Sequence, residues 1–355
     1  MSGISNKKIV FRVDGGSKKV ENSITKRGMG HVTRCLAIAN ELKKNRNLEI
    51  LFITHGNSEG LNRILDAGFL VKEIPIGIKP EKESNFIINF LKEFKPHLVI
   101  VDSLDTNSNF MKKIKELGAI LLSIDDLGNG RIYSDILIYN LVKPPKSYRL
   151  KQKHYSGPSY VPLNNKIKEK FEKKIRKIGK NILVSFGASD PGGFTLRTIK
   201  TLDKTNEDYN VTVIVGAAFN QNEKLKKLLK NVKKKYNLKF NVSQQEFVKM
   251  LQKSDMAITS GGLTVYELAA TGTPGIVLCQ NEHENSNIFE IYGFVIKLGL
   301  GKLVPENKIL SAIESLSKDK KLRREMSKKG RNLVDGKGVE RIGHIIIREL
   351  NNHLG

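Results

Sequence analysis

Lys8-Ile9-Val10-Phe11-Arg12-Val13-Asp14-Gly15-Gly16 sets the fold class. An apolar run of strand length, continuous rather than alternating, is the pattern of a strand covered on both faces. It ends on an aspartate and two glycines, and an amphipathic helix pattern follows from Arg34 to Lys44. The same grammar recurs downstream. Ile50-Leu51-Phe52-Ile53-Thr54, Leu98-Val99-Ile100-Val101-Asp102, Ile120-Leu121-Leu122-Ser123-Ile124-Asp125 and Ile136-Leu137-Ile138 read as further strands, with a helix over Asn109 to Leu117. Apolar strands alternating with helices predict a parallel α/β sheet.

The second half restarts the pattern at Asn181-Ile182-Leu183-Val184-Ser185-Phe186. Val211 to Val215, Met256 to Thr259 and Gly275 to Leu278 follow as strands. Between the halves, Val142 to Lys180 carries Pro144, Pro145, Pro158, Pro162 and many lysines, and reads as a domain connection with one amphipathic helix. The expected division is residues 1–160, residues 161–335, and a C-terminal helix over 336–355 able to pack back on the first domain.

Composition narrows the class. A chain of 355 residues with 39% hydrophobic and 27% charged residues is globular and long enough for two cores. The net charge of +25 points either to an anionic partner or to a lysine-rich solvated surface. Runs such as Lys224-Leu225-Lys226-Lys227-Leu228-Leu229-Lys230 favour the second, because leucines recur at helical spacing and lysines fill the outer face. No nucleic-acid module accompanies the charge, so no nucleic-acid partner is expected. Cys35 and Cys279 are isolated and apolar in setting, which argues for two buried free thiols and against a zinc site. No apolar run approaches a membrane span. The expectation is a cytoplasmic protein, with no membrane insertion and at most peripheral membrane contact through its basic surface.

In open α/β sheets ligands bind where strands end and helices begin. The first such place joins Arg12-Val13-Asp14-Gly15-Gly16 to Gly28-Met29-Gly30-His31-Val32-Thr33-Arg34. The glycines allow close backbone approach, and a helix starting near His31 offers unpaired N–H groups to an anion. The helix dipole disfavours a cationic histidine there, leaving the neutral imidazole a general base needs. Asp14 then either orients that imidazole or binds a sugar hydroxyl. The structural alternative is that His31 caps the helix and Asp14 satisfies loop amides.

The second place is Ser185-Phe186-Gly187-Ala188-Ser189-Asp190-Pro191-Gly192-Gly193-Phe194-Thr195, either a backbone cradle for phosphate or an ordinary Gly/Pro/Asp turn. It lacks a Walker lysine, which disfavours nucleoside triphosphate hydrolysis. The third is Thr259-Ser260-Gly261-Gly262-Leu263-Thr264-Val265-Tyr266-Glu267. Here Glu267 either closes a capping box with Thr264 or accepts hydrogen bonds from two vicinal hydroxyls, as ribose binding demands. Cys279 to Asn287, with His283, follows the next strand and would lie beside it.

Together these segments resemble the UDP-sugar hydrolases of the pseudaminic-acid pathway, within the wider GT-B nucleotide-sugar enzymes. Those hydrolases release UDP from a 2,4-diacetamido-2,4,6-trideoxy-altrose nucleotide. The likeness runs from about Phe11 to about Gly293. It includes Arg12-x-Asp14, Gly28-x-Gly30-His31-x-x-Arg34-Cys35-Leu36, Val101-Asp102-Ser103, Ile124-Asp125-Asp126, Gly157-Pro158-x-Tyr160-Val161-Pro162-Leu163, Ser185-Phe186-Gly187-x-Ser189-Asp190-Pro191 and Glu267-x-x-Ala270-x-Gly272-x-Pro274. It implies an α/β GT-B fold, two Rossmann-like domains facing across a cleft, with the sugar on the first domain and UDP on the second. It implies no metal and no organic cofactor.

Residue by residue, His31 matches the base that activates water at the anomeric carbon, and Glu267 the ribose carboxylate. The candidate catalytic pair is His31 and Asp14. The candidate substrate contacts are Arg12, Gly30, Arg34, Asp102, Ser189, Gly261, Gly262, Leu263, Thr264, Glu267, His283 and Asn287. Two features depart from the family. Ser17 to Arg27 lengthens the loop before the histidine, and His283-x-x-x-Asn287 reads more like related glycosyltransferases. The expected activity is UDP-sugar hydrolysis. The alternatives are a glycosyltransferase using a sugar or lipid acceptor, and a non-catalytic nucleotide-sugar binder.

Overall fold

The computed structural model describes residues 6–20, 23–56, 58–140, 152–168, 171–287 and 289–353. The chain forms two compact units, Met1–Pro162 with Lys337–Gly355, and Leu163–Gly336.

The first unit opens with β1 (Lys7–Val13), a hairpin of β2 (Gly16–Val20) and β3 (Ser23–Arg27), and α1 (Gly30–Leu42). There follow β4 (Leu48–His55), α2 (Glu59–Asp66), β5 (Leu70–Ile74), α3 (Pro80–Phe94) and β6 (Leu98–Asp102). Then come α4 (Ser108–Lys115), β7 (Ile120–Ile124), β8 (Ile136–Tyr139) and β9 (Lys153–Ser156). The seven-stranded sheet runs β5-β4-β1-β6-β7-β8-β9, and its neighbours are all parallel. Val10, Ile53, Val99, Val101 and Leu121 form one buried face with Ile87 and Leu91 of α3 and Met111 and Ile114 of α4. Each such side chain contributes about 1.5–3 kcal/mol on burial.

The second unit contains β10 (Asn181–Ser185), α5 (Phe194–Asp203), β11 (Asn210–Val215), α6 (Asn222–Asn231) and β12 (Tyr236–Phe240). It continues with α7 (Gln244–Lys253), β13 (Met256–Thr259), α8 (Thr264–Thr271), β14 (Gly275–Cys279) and α9 (Glu282–Ser286). It ends with β15 (Val295–Leu300), α10 (Glu306–Lys318) and α11 (Lys320–Leu333). Its sheet, β12-β11-β10-β13-β14-β15, is again parallel throughout. Ile182, Val184, Val213, Ile258 and Ile276 pack with Ile199 and Leu202 of α5 and Ile309 and Ile313 of α10. On α6, Leu225 is buried and its lysines are exposed, the division the leucine spacing predicted.

The last helix, α12 (Gly338–Asn352), belongs to the first unit. It buries Val339, Ile342, Ile346 and Leu350 and packs on α1. A Cβ at Gly338 would lie 2.1 Å from the carbonyl oxygen of Val161, so only glycine fits that junction.

The central strands stand where the sequence predicts them; the β2–β3 hairpin occupies the stretch read as a lengthened loop, and four further strands, β5, β9, β12 and β15, were not read. All four lie at or next to a sheet edge, where one face meets solvent and the apolar run is broken. The connection between the units also differs from expectation. No α-helix forms among the described residues of 152–180, and the part of that reading on 142–151 lies outside the described residues. In place of helical packing, Lys173 is buried and its Nζ donates to the carbonyl oxygens of Leu251 (2.9 Å) and Ser254 (2.6 Å) and to Thr273 Oγ1 (2.8 Å). A lysine at the end of α7 satisfies carbonyls that a helix C-terminus leaves open.

Both sheets are doubly wound. Strand order reverses between β1 and β6 in the first unit and between β10 and β13 in the second. The crevice at the carboxyl ends of such strand pairs is where this architecture takes ligands.

Candidate active site

His31 is the second residue of α1, and Asp102 the last of β6. They meet at the first unit's switch point, His31 Nδ1 lying 2.6 Å from Asp102 Oδ1. Burial alone would push the Asp102 carboxyl up, but the Arg34 guanidinium and His31 outweigh it and hold it below the usual carboxylate range. An ionised carboxylate only accepts, so a contact this short puts the proton on Nδ1. Nε2 is then the ring's basic nitrogen in the neutral tautomer. The imidazole retains 24% exposure, against none for the Asp102 side chain.

Arg34 lies one helical turn on, on the same face of α1. Its Nε and Nη2 grip the two oxygens of Asp102 at 2.6 and 2.5 Å. Nη1 donates to Asp125, just past β7, and to Asn140 Oδ1 (3.3 Å), just past β8. The carboxyl ends of three neighbouring strands thus converge on one guanidinium. Asp125 takes a φ of 52° to reach it, a conformation aspartate tolerates better than most residues. Cys35 Sγ adds a 3.3 Å contact to Asp102. Arg34 and Asp102, expected at the substrate, are 1% and 3% exposed. They form the support beneath the histidine.

Asp14 is not the carboxylate on the imidazole. Arg12 Nη1 reaches Asp14 Oδ1 at 2.8 Å, and Nη2 reaches both Asp14 Oδ2 (2.8 Å) and Glu83 Oε1 (2.9 Å). His55, ending β4, closes the ring: Nδ1 is 2.7 Å from Asp14 Oδ1 and Nε2 is 3.0 Å from Glu83 Oε2. A histidine between two carboxylates donates from both nitrogens and is therefore cationic. Burial lowers its pKa, but the hydrogen bonds to Asp14 and Glu83 prevail and raise it. Burial likewise works against the Asp14 carboxylate, while Arg12 and His55 hold it well below its usual range. Gly15 follows in close packing, since a Cβ there would lie 2.6 Å from Val32 Cγ2. The ring ties the ends of β1 and β4 to α3, and Gly15 packs against α1. The helix-cap reading of His31 also fails: Met29 is the N-cap, without a side-chain cap bond. Among the described residues nothing lies within 4 Å of a Cβ position at Gly28 or Gly30.

In the second unit the turn after β10 is largely self-satisfied. Buried Asp190 accepts the amides of Phe194 (3.0 Å) and Thr195 (2.7 Å) at the start of α5, and Gly192 N donates to Gln280 Oε1 (2.9 Å). Those amides are spent, so the start of α5 itself offers no phosphate cradle; the Gly187-Ala188-Ser189 turn of the expected cradle lies ahead of it. Ser189 stands half-buried beside it.

The turn before α8 differs. Glu284 Oε2 accepts the amides of Gly261 (2.9 Å) and Gln280 (2.8 Å), tying the glycine turn to the loop after β14. Gly262 and Leu263 lead into α8, whose first residue is Thr264. Thr264 therefore stands inside the helix, Leu263 is the cap without a side-chain bond, and the Thr264–Glu267 capping box does not form. The capping box is at Ser243 and Glu246, opening α7. Glu267 is 4% exposed and accepts a hydrogen bond from Gln244 Nε2. His283 is half-buried on α9 and Asn287 is buried after it, its carbonyl oxygen accepting from Lys297 Nζ (2.8 Å). Both follow β14, the neighbour of β13.

Asn140, His55, Glu83 and Gln244 escaped the sequence reading, and Asp125 and Glu284 stood in segments it quoted without giving them a role. Asp125 and His55 were within reach, since each directly ends an apolar strand run. Asn140 likewise directly follows β8, whereas Glu83, Gln244 and Glu284 stand on helices, where nothing local marks them.

Two parallel, doubly wound Rossmann-like units make this a GT-B-type α/β protein. Solved structures agree: Acinetobacter baumannii MurG superposes with a TM-score of 0.68 at 15% identity, covering 96% of this chain and 99% of that one. The Staphylococcus aureus MnaA–UDP structure gives 0.62 at 15%, covering 97% of each. Among curated proteins, the spore coat polysaccharide biosynthesis protein SpsG of Bacillus subtilis is 31% identical over 345 residues, 94% of this chain and 96% of that one. The chain belongs to the SpsG family. An uncharacterized protein of Methanocaldococcus jannaschii, MJ1062, is 33% identical over 72% of this chain, which spans about half (54%) of that relative's length. The UDP-2,4-diacetamido-2,4,6-trideoxy-beta-L-altropyranose hydrolase of Campylobacter jejuni is 25% identical over 79% of this chain and 94% of its own. A family model described as UDP-N-acetylglucosamine 2-epimerase matches residues 184–347. Among the described residues no helix is long and apolar enough to cross a membrane.

Proposed function

We propose that this protein hydrolyses a UDP-sugar, releasing UDP from a 2,4-diacetamido-2,4,6-trideoxyhexose nucleotide, with His31 as general base. The observation that carries the reading is the buried, ionised Asp102 on Nδ1 of a partly exposed His31. Nε2 takes a proton from water while the water oxygen bonds to the anomeric carbon. The bond from that carbon to the phosphate oxygen breaks, and its electron pair leaves with UDP. Asp102 faces the imidazolium charge that forms, which is electrostatic stabilisation in place before the reaction.

For the nucleotide we assign the second unit: the turn Gly261-Gly262-Leu263-Thr264, and Glu267 on the ribose. Support comes from the name of the Campylobacter relative and from the UDP held by the structurally similar MnaA protein. The test is UDP release from the altrose nucleotide by purified protein, with and without acceptors. Release without acceptor, lost in His31→Ala, is the expected result; release only with a sugar or lipid acceptor would make the protein a glycosyltransferase.

A further inference from the structure

We propose that Gln244 is a positioning residue for nucleotide recognition: it sets the carboxylate of Glu267 for the ribose and thereby makes the site selective for ribonucleotides. The inference rests on the nucleotide assignment above and adds to it a residue from a different element. Glu267 sits in the first turn of α8 with 4% exposure. A carboxylate so buried needs a donor, and a carboxylate meant for two vicinal hydroxyls needs one that also fixes the plane of its oxygens. Gln244 Nε2 donates to Glu267 Oε1.

The donor is itself held in place. Gln244 is the first residue of α7, directly after Ser243. There Ser243 Oγ accepts the Glu246 amide (3.3 Å) and Glu246 Oε2 accepts the Ser243 amide (3.0 Å), which fixes the backbone from which Gln244 extends. A neutral amide also suits this place better than a lysine would. It donates one hydrogen bond and adds no charge that would compete with the hydroxyls for the carboxylate.

The experiment is calorimetric titration of the full chain with UDP and with 2′-deoxyUDP, for wild type, Gln244→Ala, Gln244→Glu and Glu267→Gln. Wild type should prefer UDP by about tenfold or more, the worth of a hydrogen bond to a charged group. Gln244→Ala should lose most of that preference, weakening UDP about tenfold and leaving 2′-deoxyUDP within about twofold. Gln244→Glu keeps the size of the side chain but sets a second carboxylate against Glu267, and should lose the preference too. Adding Gln244→Ala to Glu267→Gln should cost nothing further. Equal weakening of both nucleotides, or no change in either, overturns the role of Gln244. Failure of wild type to bind UDP at all overturns the nucleotide assignment and the inference resting on it.

Discussion

Asp102 and Arg34 share a two-point grip, Nε to Oδ2 at 2.6 Å and Nη2 to Oδ1 at 2.5 Å, and the same Oδ1 lies 2.6 Å from His31. One carboxylate thus serves as structural anchor and as partner of the proposed base. Asp102→Asn keeps the shape but replaces an acceptor with a donor. Turnover should fall by about 10²–10⁴, the usual worth of a placed general base, with nucleotide affinity unchanged. Single-turnover UDP release and calorimetry, side by side, read the two effects.

Arg34→Met should act mainly on stability. It leaves Asp102 and Asp125 buried without their shared cation, a loss of about 3–5 kcal/mol when one partner of a buried pair is removed. Urea unfolding checks this, and a change below about 1 kcal/mol would mean that the two carboxylates find other partners.

The Arg12–Asp14–His55–Glu83 ring predicts a stability optimum in pH. His55 has a raised pKa in the folded protein. Its contribution is whole below the unfolded value of about 6.5 and disappears as pH rises through the folded one. Asp14 is depressed, so its contribution is whole above about 3.9 and disappears as pH falls through its folded value. The difference in unfolding free energy between wild type and His55→Gln should therefore shrink on raising the pH above neutrality. A difference that stays flat would mean that His55 is not held as a cation.

Gly15→Ala should force α1 off the strand end, because the new methyl would start 2.6 Å from Val32 Cγ2. Overpacking of this kind costs about 1–3 kcal/mol. Adding Val32→Ala should recover part of the stability and of the rate of the proposed UDP release, since it vacates the contested volume. Thermal unfolding and activity of the single and double variants test it.

The central strands were legible because both faces are covered and the code is a plain apolar run, as in Val99-Ile100-Val101. Edge strands such as Leu70–Ile74 obey a weaker rule, since half of their side chains answer to solvent. His31 could be singled out from the glycines and the helix that follows it. Its true partner could not: Asp14 is nearer in sequence, and only the order β1-β6 brings Asp102, 71 residues on, to the imidazole. Glu267 offered a capping box by spacing alone. That reading fails by one helical position, a distinction pattern matching does not make.

The return of α12 to the first unit has a consequence for synthesis. Its Leu350 carbonyl and Asn351 side chain receive Lys7 Nζ at 3.2 and 2.8 Å, and Glu349 pairs with Lys153. On the ribosome, the Leu163–Gly336 unit has all its residues before the other does. The unit begun first is completed last, and the proposed base waits on residues made more than 300 positions after it. A nascent chain stalled near Gly336 would carry a whole second unit and an unfinished first, so a late frameshift would strike the histidine's domain and spare the other.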